Sequence, residues 1–136
     1  MDDVFVAQIM SSPVTTVSAE TPAKEAAQLM LEEGISSVVV VDERNHVTGI
    51  LTSTDFVAIA ADEQSAEEFS VADYMTEDVV TTAASESIQG VADRLIEHGI
   101  HHVPVTDESA GVIGMVTTTD LTAYLSGLKG TPVVNS

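Results

Sequence analysis

Two short runs hold the residues best suited to chemistry in this chain, Thr52-Ser53-Thr54-Asp55 and Thr117-Thr118-Thr119-Asp120. Each sets hydroxyls ahead of one carboxylate, where an apolar stretch gives way to a helical pattern. A Ser or Thr followed three residues later by an acid is a capping box, which closes a helix start without any ligand. The same junction offers free backbone N–H groups and a positive dipole end, a natural place for a phosphate. Hydroxyls at Thr52, Ser53, Thr117 and Thr118 add donors there without bulk. Asp55 and Asp120 would repel a phosphate and suit another task. A carboxylate accepts two hydrogen bonds at once and so can read the cis-diol of a ribose.

The two runs belong to a longer echo. Shifting the chain by 65 positions lays Gly49-Ile50-Leu51 on Gly114-Met115-Val116, Met10 on Met75, and Gly34-Ile35 on Gly99-Ile100. About 20 of roughly 55 aligned positions are identical without a gap, the mark of an internal repeat. Two copies of about 60 residues are each marginal alone, so the sequence predicts that they share a core about a pseudo-two-fold axis.

Each copy reads as strand, helix, strand, strand, helix. The first predicts a strand over 14–17, a helix opened by Thr21 as N-cap with Pro22 at its first position and stopped at Gly34. A β-branched strand over 37–41, a turn at Asp42-Glu43-Arg44-Asn45, a strand over 47–51 and a helix over 53–61 follow. The second predicts strands over 79–82, 102–106 and 112–117, with helices over 87–98 and 118–126. Domain bounds follow as 4–61 for the first repeat, 62–70 for a polar linker, 71–126 for the second repeat and 127–136 for a flexible tail. Val4 and Phe5 are apolar and placed to pack against the other copy.

Other constellations carry less. His98, His101 and His102 match no zinc-site spacing, and adjacent strand residues point to opposite faces; no metal site is expected. Met10, Met30, Met75 and Met115 fall at apolar positions as core filler, and His46 sits in a turn facing solvent. No nucleophile-elbow serine or phosphate-loop glycine cluster occurs, so no catalytic residue is assigned and no enzyme is expected.

Composition sets further bounds. Four Lys and Arg oppose 22 Asp and Glu for a net charge of -18, a field that repels nucleic acid and anionic membranes. A hydrophobic fraction of 44% argues for a folded domain. Few lysines and dispersed carboxylates match a salt-adapted protein, with an acidic mesophilic one as the alternative. No cysteine, signal peptide or membrane-length apolar run is present, which fits a cytoplasmic setting.

The doubled pattern resembles the CBS domain, and the tandem pair resembles a Bateman module, over roughly residues 4–126. The markers are Met10-Ser11 and Met75-Thr76, Gly-Ile before the second strand, and Gly-φ-φ-Thr-x-x-Asp before the last helix (φ apolar). The resemblance implies an α/β (α+β) fold of two tandem β-α-β-β-α repeats. It implies paired clefts that bind AMP, ADP, ATP or S-adenosylmethionine. It maps the ribose acid to Asp55 and Asp120, and the phosphate hydroxyl to Thr52 and Thr117. The adenine-facing backbone maps to Thr16 and Val17, and to Thr81 and Thr82. A pattern Arg-His-φ-Pro-Val in many members becomes His101-His102-Val103-Pro104-Val105 in the second repeat, with His102 and Pro104 as site residues. The first repeat has Ser36-Ser37-Val38-Val39-Val40 there, without cation or proline.

The expectation is therefore a stand-alone regulatory module from a salt-adapted archaeon or similar halophile. It senses an adenosine compound, AMP favoured or S-adenosylmethionine, requires no cofactor and forms a homodimer that acts on an effector protein. The alternative is a ligand-free dimerisation module whose clefts bind no nucleotide.

Overall fold

The computed structural model describes residues 4–62 and 69–127; the expected tail beyond Gly127 and most of the expected linker lie outside them. In chain order come α1 (Val6–Ile9), β1 (Thr16–Val17), α2 (Ala23–Glu33), β2 (Ser37–Val41), β3 (Val47–Thr52), α3 (Ser53–Ala61), a 3-10 turn (Val71–Asp73), β4 (Thr82–Ala83), α4 (Ile88–His98), β5 (His102–Asp107), β6 (Gly111–Thr117) and α5 (Thr118–Leu125). The strands form two three-stranded sheets of order β1-β2-β3 and β4-β5-β6. In each, the first pair is parallel and the second an antiparallel hairpin.

Two compact units result, and each borrows a segment from beyond its own repeat. Among the described residues, one comprises those from Thr15 to Val79; the other joins those before Thr15 to those from Val80 to Gly127. In the second unit the Ile88 N–H donates to the Val4 carbonyl and Phe5 bridges to Ser87. The early apolar residues thus pack with the second repeat. The 3-10 turn plays the same part in the first unit, where the Val71 N–H donates to Thr21 O at 2.8 Å. Val6 and Val71 hold echoed positions and are both fully buried, each in the core of its own unit.

Alternation explains the cores. Val38, Val40 and Leu51 point to one face and pack against Ala26 and Met30 of α2; Val103, Val105 and Val116 do the same with Val91 and Leu95 of α4. Each such side chain contributes roughly 1.5–3 kcal/mol when taken out of water. Val39 and Ile50 lie on the opposite face and are buried too, so the unbroken valine run of β2 reads as a strand covered on both sides. Gly34 and Gly99 close α2 and α4 in left-handed geometry, φ 66° and 61°, where a Cβ would be strained.

Three local expectations change. Thr21 does not cap α2: the N-cap is Pro22, and the Thr21 hydroxyl instead accepts from the Ser18 N–H at 3.2 Å, closing the turn after β1. The opening strands shrink to two residues each. β4 also starts one residue later than the echo of β1. In the first repeat the Val39 N–H donates to Thr15 O at 3.2 Å. Its echo is Pro104, which has no N–H to give Val80.

Candidate functional site

Each Thr-x-x-Asp run sits at the end of an antiparallel hairpin, in matched register. Ser37 lies opposite Thr52 on β3, and His102 lies opposite Thr117 on β6. Those residues share a sheet face with Val39 and Ile50 in one unit and with Pro104 and Met115 in the other. Thr16 pairs with Val39 and so belongs to the same face. Val17 pairs with Val40 and Thr82 with Val105, which turns both side chains toward the cores. Only their backbone is left for a ligand.

The helix starts are closed from within. The Thr52 N–H donates to Asp55 Oδ2 at 2.7 Å, and Thr52 Oγ1 lies 3.3 Å from the same oxygen. The Thr117 N–H donates to Asp120 Oδ2 at 2.9 Å, while the Asp120 N–H donates to Thr117 Oγ1 at 3.2 Å. These are capping boxes. The next N–H is taken as well: Ser53 donates to Ser36 O at 3.0 Å and Thr118 to His101 O at 3.1 Å. The free N–H groups expected for a phosphate are thus largely committed inside the chain, because the strand before β3 or β6 lies within reach of the helix start.

The two sites differ in depth. Asp120 is 2% exposed and Thr117 4%, whereas Asp55 and Thr52 are only partly buried. Ser11 deepens the second site: it pairs with Met115 through two backbone hydrogen bonds and sets its Oγ 3.5 Å from Asp120 Oδ1. In the sequence Ser11 stands out only as half of a Met-Ser marker; its separation of 109 residues from Asp120 leaves no local signal. His102 is partly buried, and burial, then the charge of His101, holds its imidazole down to about 4. It is uncharged at neutral pH. His101 is exposed.

A cation does approach the second repeat, at a different place. Arg94 on α4 donates to the Thr81 carbonyl at 2.7 Å and pairs with Glu86 at 2.8 Å. The echo of Arg94 is Leu29, so the first repeat has no counterpart. In the first unit a groove of about 540 Å³ runs beside Thr16 and Val17, floored by Ala19, Val41 and Met75 and rimmed by Glu20, Asp42 and Glu43. Apolar floor and acidic rim suit a flat neutral ring better than an anion. Among the described residues, no group of three or more His, Asp or Glu is placed to hold a metal ion.

Sheet order, register and doubled caps define a pair of β-α-β-β-α repeats. The CBS domain model matches residues 6–62 and 71–127, and the chain belongs to that family. It is 29% identical, with a TM-score of 0.86, to a CBS domain pair solved in complex with 5′-methylthioadenosine and S-adenosyl-L-methionine; the match covers 94% of this chain and 100% of that one. An L-aspartate semialdehyde sulfurtransferase of Methanocaldococcus jannaschii is 32% identical over 92% of this chain and 24% of its own length. A homoserine O-acetyltransferase of Methanococcus vannielii is 30% identical over 90% of this chain and 25% of its own length. The chain thus spans about a quarter of the length of these curated relatives. Among the described residues no helix is long and apolar enough to cross a membrane.

Proposed function

We propose that this chain is a regulatory module that binds an adenosine compound, of the class of AMP, ADP, ATP or S-adenosylmethionine. The observation that carries the reading is the likeness, over nearly its whole length, to a CBS pair in complex with two adenosine thio-compounds. Asp55 and Asp120 serve as ribose acids, flanked by the hydroxyls of Thr52, Ser53, Thr117 and Thr118. The backbone at Thr16 and Val17, and at Thr81 and Thr82, faces the base, with His102 and Pro104 completing the second site. Isothermal titration of the full chain with these compounds tests the reading. Absence of heat with every one of them, together with a melting temperature that ignores ligand concentration, sinks it.

A second reading, a ligand-free association module, draws on the caps themselves. Asp55 and Asp120 already have structural work at their helix starts and need no ligand to explain them. The signal in either reading passes through pairing of modules. Leu31 and Ile96 stand at echoed positions, 82% and 80% exposed, and a surface repeated within one chain suits an isologous contact with a second copy. Light scattering after size exclusion tests this. Leu31→Glu with Ile96→Glu is expected to give monomers, and an unchanged mass for the double variant refutes the assignment. The effector served is an enzyme of the kind that carries this module as part of a longer chain, in a salt-rich cytoplasm.

A further inference from the structure

The start of α5 is an anion site filled by its own carboxylate. Asp120, almost fully buried, accepts the Thr117 N–H, and its own N–H is spent on Thr117 Oγ1. The Thr118 N–H is spent on His101 O. A negative charge therefore already occupies the positive end of the α5 dipole. A phosphate brought beside it would find few backbone donors and a like charge with little water between.

Such a phosphate would have to rely on cationic side chains, and the described residues of this unit offer none at that end. Arg94 is the one Lys or Arg among its described residues. Its guanidinium is held by Glu86 and the Thr81 carbonyl, at the edge of β4. The side chain opposite Thr117 is that of His102, partly buried and next in sequence to a second histidine. The other polar side chains there are hydroxyls, of Ser11, Thr117 and Thr118, and hydroxyls suit neutral groups as readily as anions.

We infer that the Thr117–Asp120 site selects adenosine compounds whose 5′ substituent is neutral or cationic, a thioether or a sulfonium, over those that carry a phosphate. The inference rests on the adenosine reading proposed above and replaces the expected preference for AMP. His102 is its specificity-determining residue, because a fixed cation at that place is what a phosphate would need.

Titration of the full chain with 5′-methylthioadenosine, S-adenosylmethionine and AMP, in about 0.15 M KCl to leave electrostatics effective, separates the outcomes. The two sulfur compounds are expected to bind at least about tenfold more tightly than AMP, a difference of about 1.4 kcal/mol. AMP binding as tightly as 5′-methylthioadenosine overturns the selectivity and leaves the adenosine reading standing; no binding by any of the three overturns both. His102→Arg is expected to close the gap by about tenfold through a new charge pair, and His102→Gln to leave it open. An arginine variant that still binds 5′-methylthioadenosine yet gains nothing for AMP refutes the role of His102.

Discussion

Met75 occupies the space that a side chain at Gly49 would need. A Cβ placed on Gly49 would stand 2.5 Å from Met75 Sδ and 3.1 Å from the Thr76 carbonyl oxygen. The second unit repeats the contact, with a Gly114 Cβ at 2.7 Å from Met10 Sδ and 3.1 Å from Ser11 O. The Met-Ser/Thr opening and the strand glycine, far apart in sequence, are two halves of one joint. It locks the borrowed segment onto β3 or β6, where Thr76 and Ile50 exchange backbone hydrogen bonds at 2.9 and 3.0 Å.

Gly49→Ala and Gly114→Ala are therefore expected to destabilise by about 1–3 kcal/mol each, the usual cost of overpacking. Met75→Ala in the Gly49→Ala background should recover part of that loss, since one of the two obstacles is gone. Urea denaturation of the four members of the cycle measures the coupling. Additive effects would mean that the sulfur and the glycine do not share the space.

Thr82 sets up the opposite outcome. Its hydroxyl is buried with no hydrogen-bond partner, facing the core beside Val105. The echoed position in the first repeat is Val17, the same shape without the polar atom. Thr82→Val is expected to stabilise by about 1 kcal/mol, because an unpaired buried hydroxyl costs roughly 1–3 kcal/mol. A lower melting temperature in the valine variant would count against an orphaned group.

What the sequence made legible was whatever repeated or obeyed a short-range rule. The 65-residue echo marked two matched sheets, the glycines marked both left-handed helix ends, and the Thr-x-x-Asp spacing marked both capping boxes. Long-range choices stayed hidden. The apolar character of Val4 and Phe5 pointed to the other copy, but nothing local carries that exchange on to Val14, and α1 is four residues long, too short for helical periodicity. The short β4 follows from a proline on another strand. The loss of free N–H groups at α5 depends on His101 O, visible only once β5 and β6 are paired.

Cap and ribose roles of the two acids can be separated. An asparagine oxygen still accepts the cap hydrogen bond, but the NH2 that replaces the second carboxylate oxygen only donates and cannot accept from a diol. Asp55→Asn and Asp120→Asn are expected to keep most of the fold stability and lose about tenfold in affinity for 5′-methylthioadenosine. Alanine at either position should cost about 1 kcal/mol of stability as well, as lost caps do. Calorimetric titration beside thermal melts reads both quantities. Full affinity in both asparagine variants would remove the acids from the site.

The net charge of -18 predicts a protein that gains stability from salt. Raising KCl from 0.1 M to 1 M shortens the Debye length from about 10 Å to about 3 Å, which screens repulsion among the carboxylates. Charge pairs such as Arg94 with Glu86 weaken under the same screening, but they are few beside 22 acids. The melting temperature is expected to climb steadily over that range. A flat or falling profile would favour an acidic mesophilic protein.

His102 gives the fold its own dependence on pH. Burial first, and His101 second, hold its imidazole down to about 4 from the usual 6.5. Between those values the unfolded chain binds a proton that the folded chain does not, so stability rises with pH across the window and falls as acid is added. Fully developed, the difference would approach roughly 3 kcal/mol, less whatever solvent reaches the ring. Other groups titrate nearby, and the relief of repulsion among carboxylates in acid acts in the opposite sense. The informative quantity is therefore the difference between the wild type and His102→Gln, followed by urea denaturation from pH 7 to pH 4. The wild type should lose ground steadily against the glutamine variant as pH falls, and parallel curves would show that His102 is protonated as readily in the folded protein as in the unfolded one.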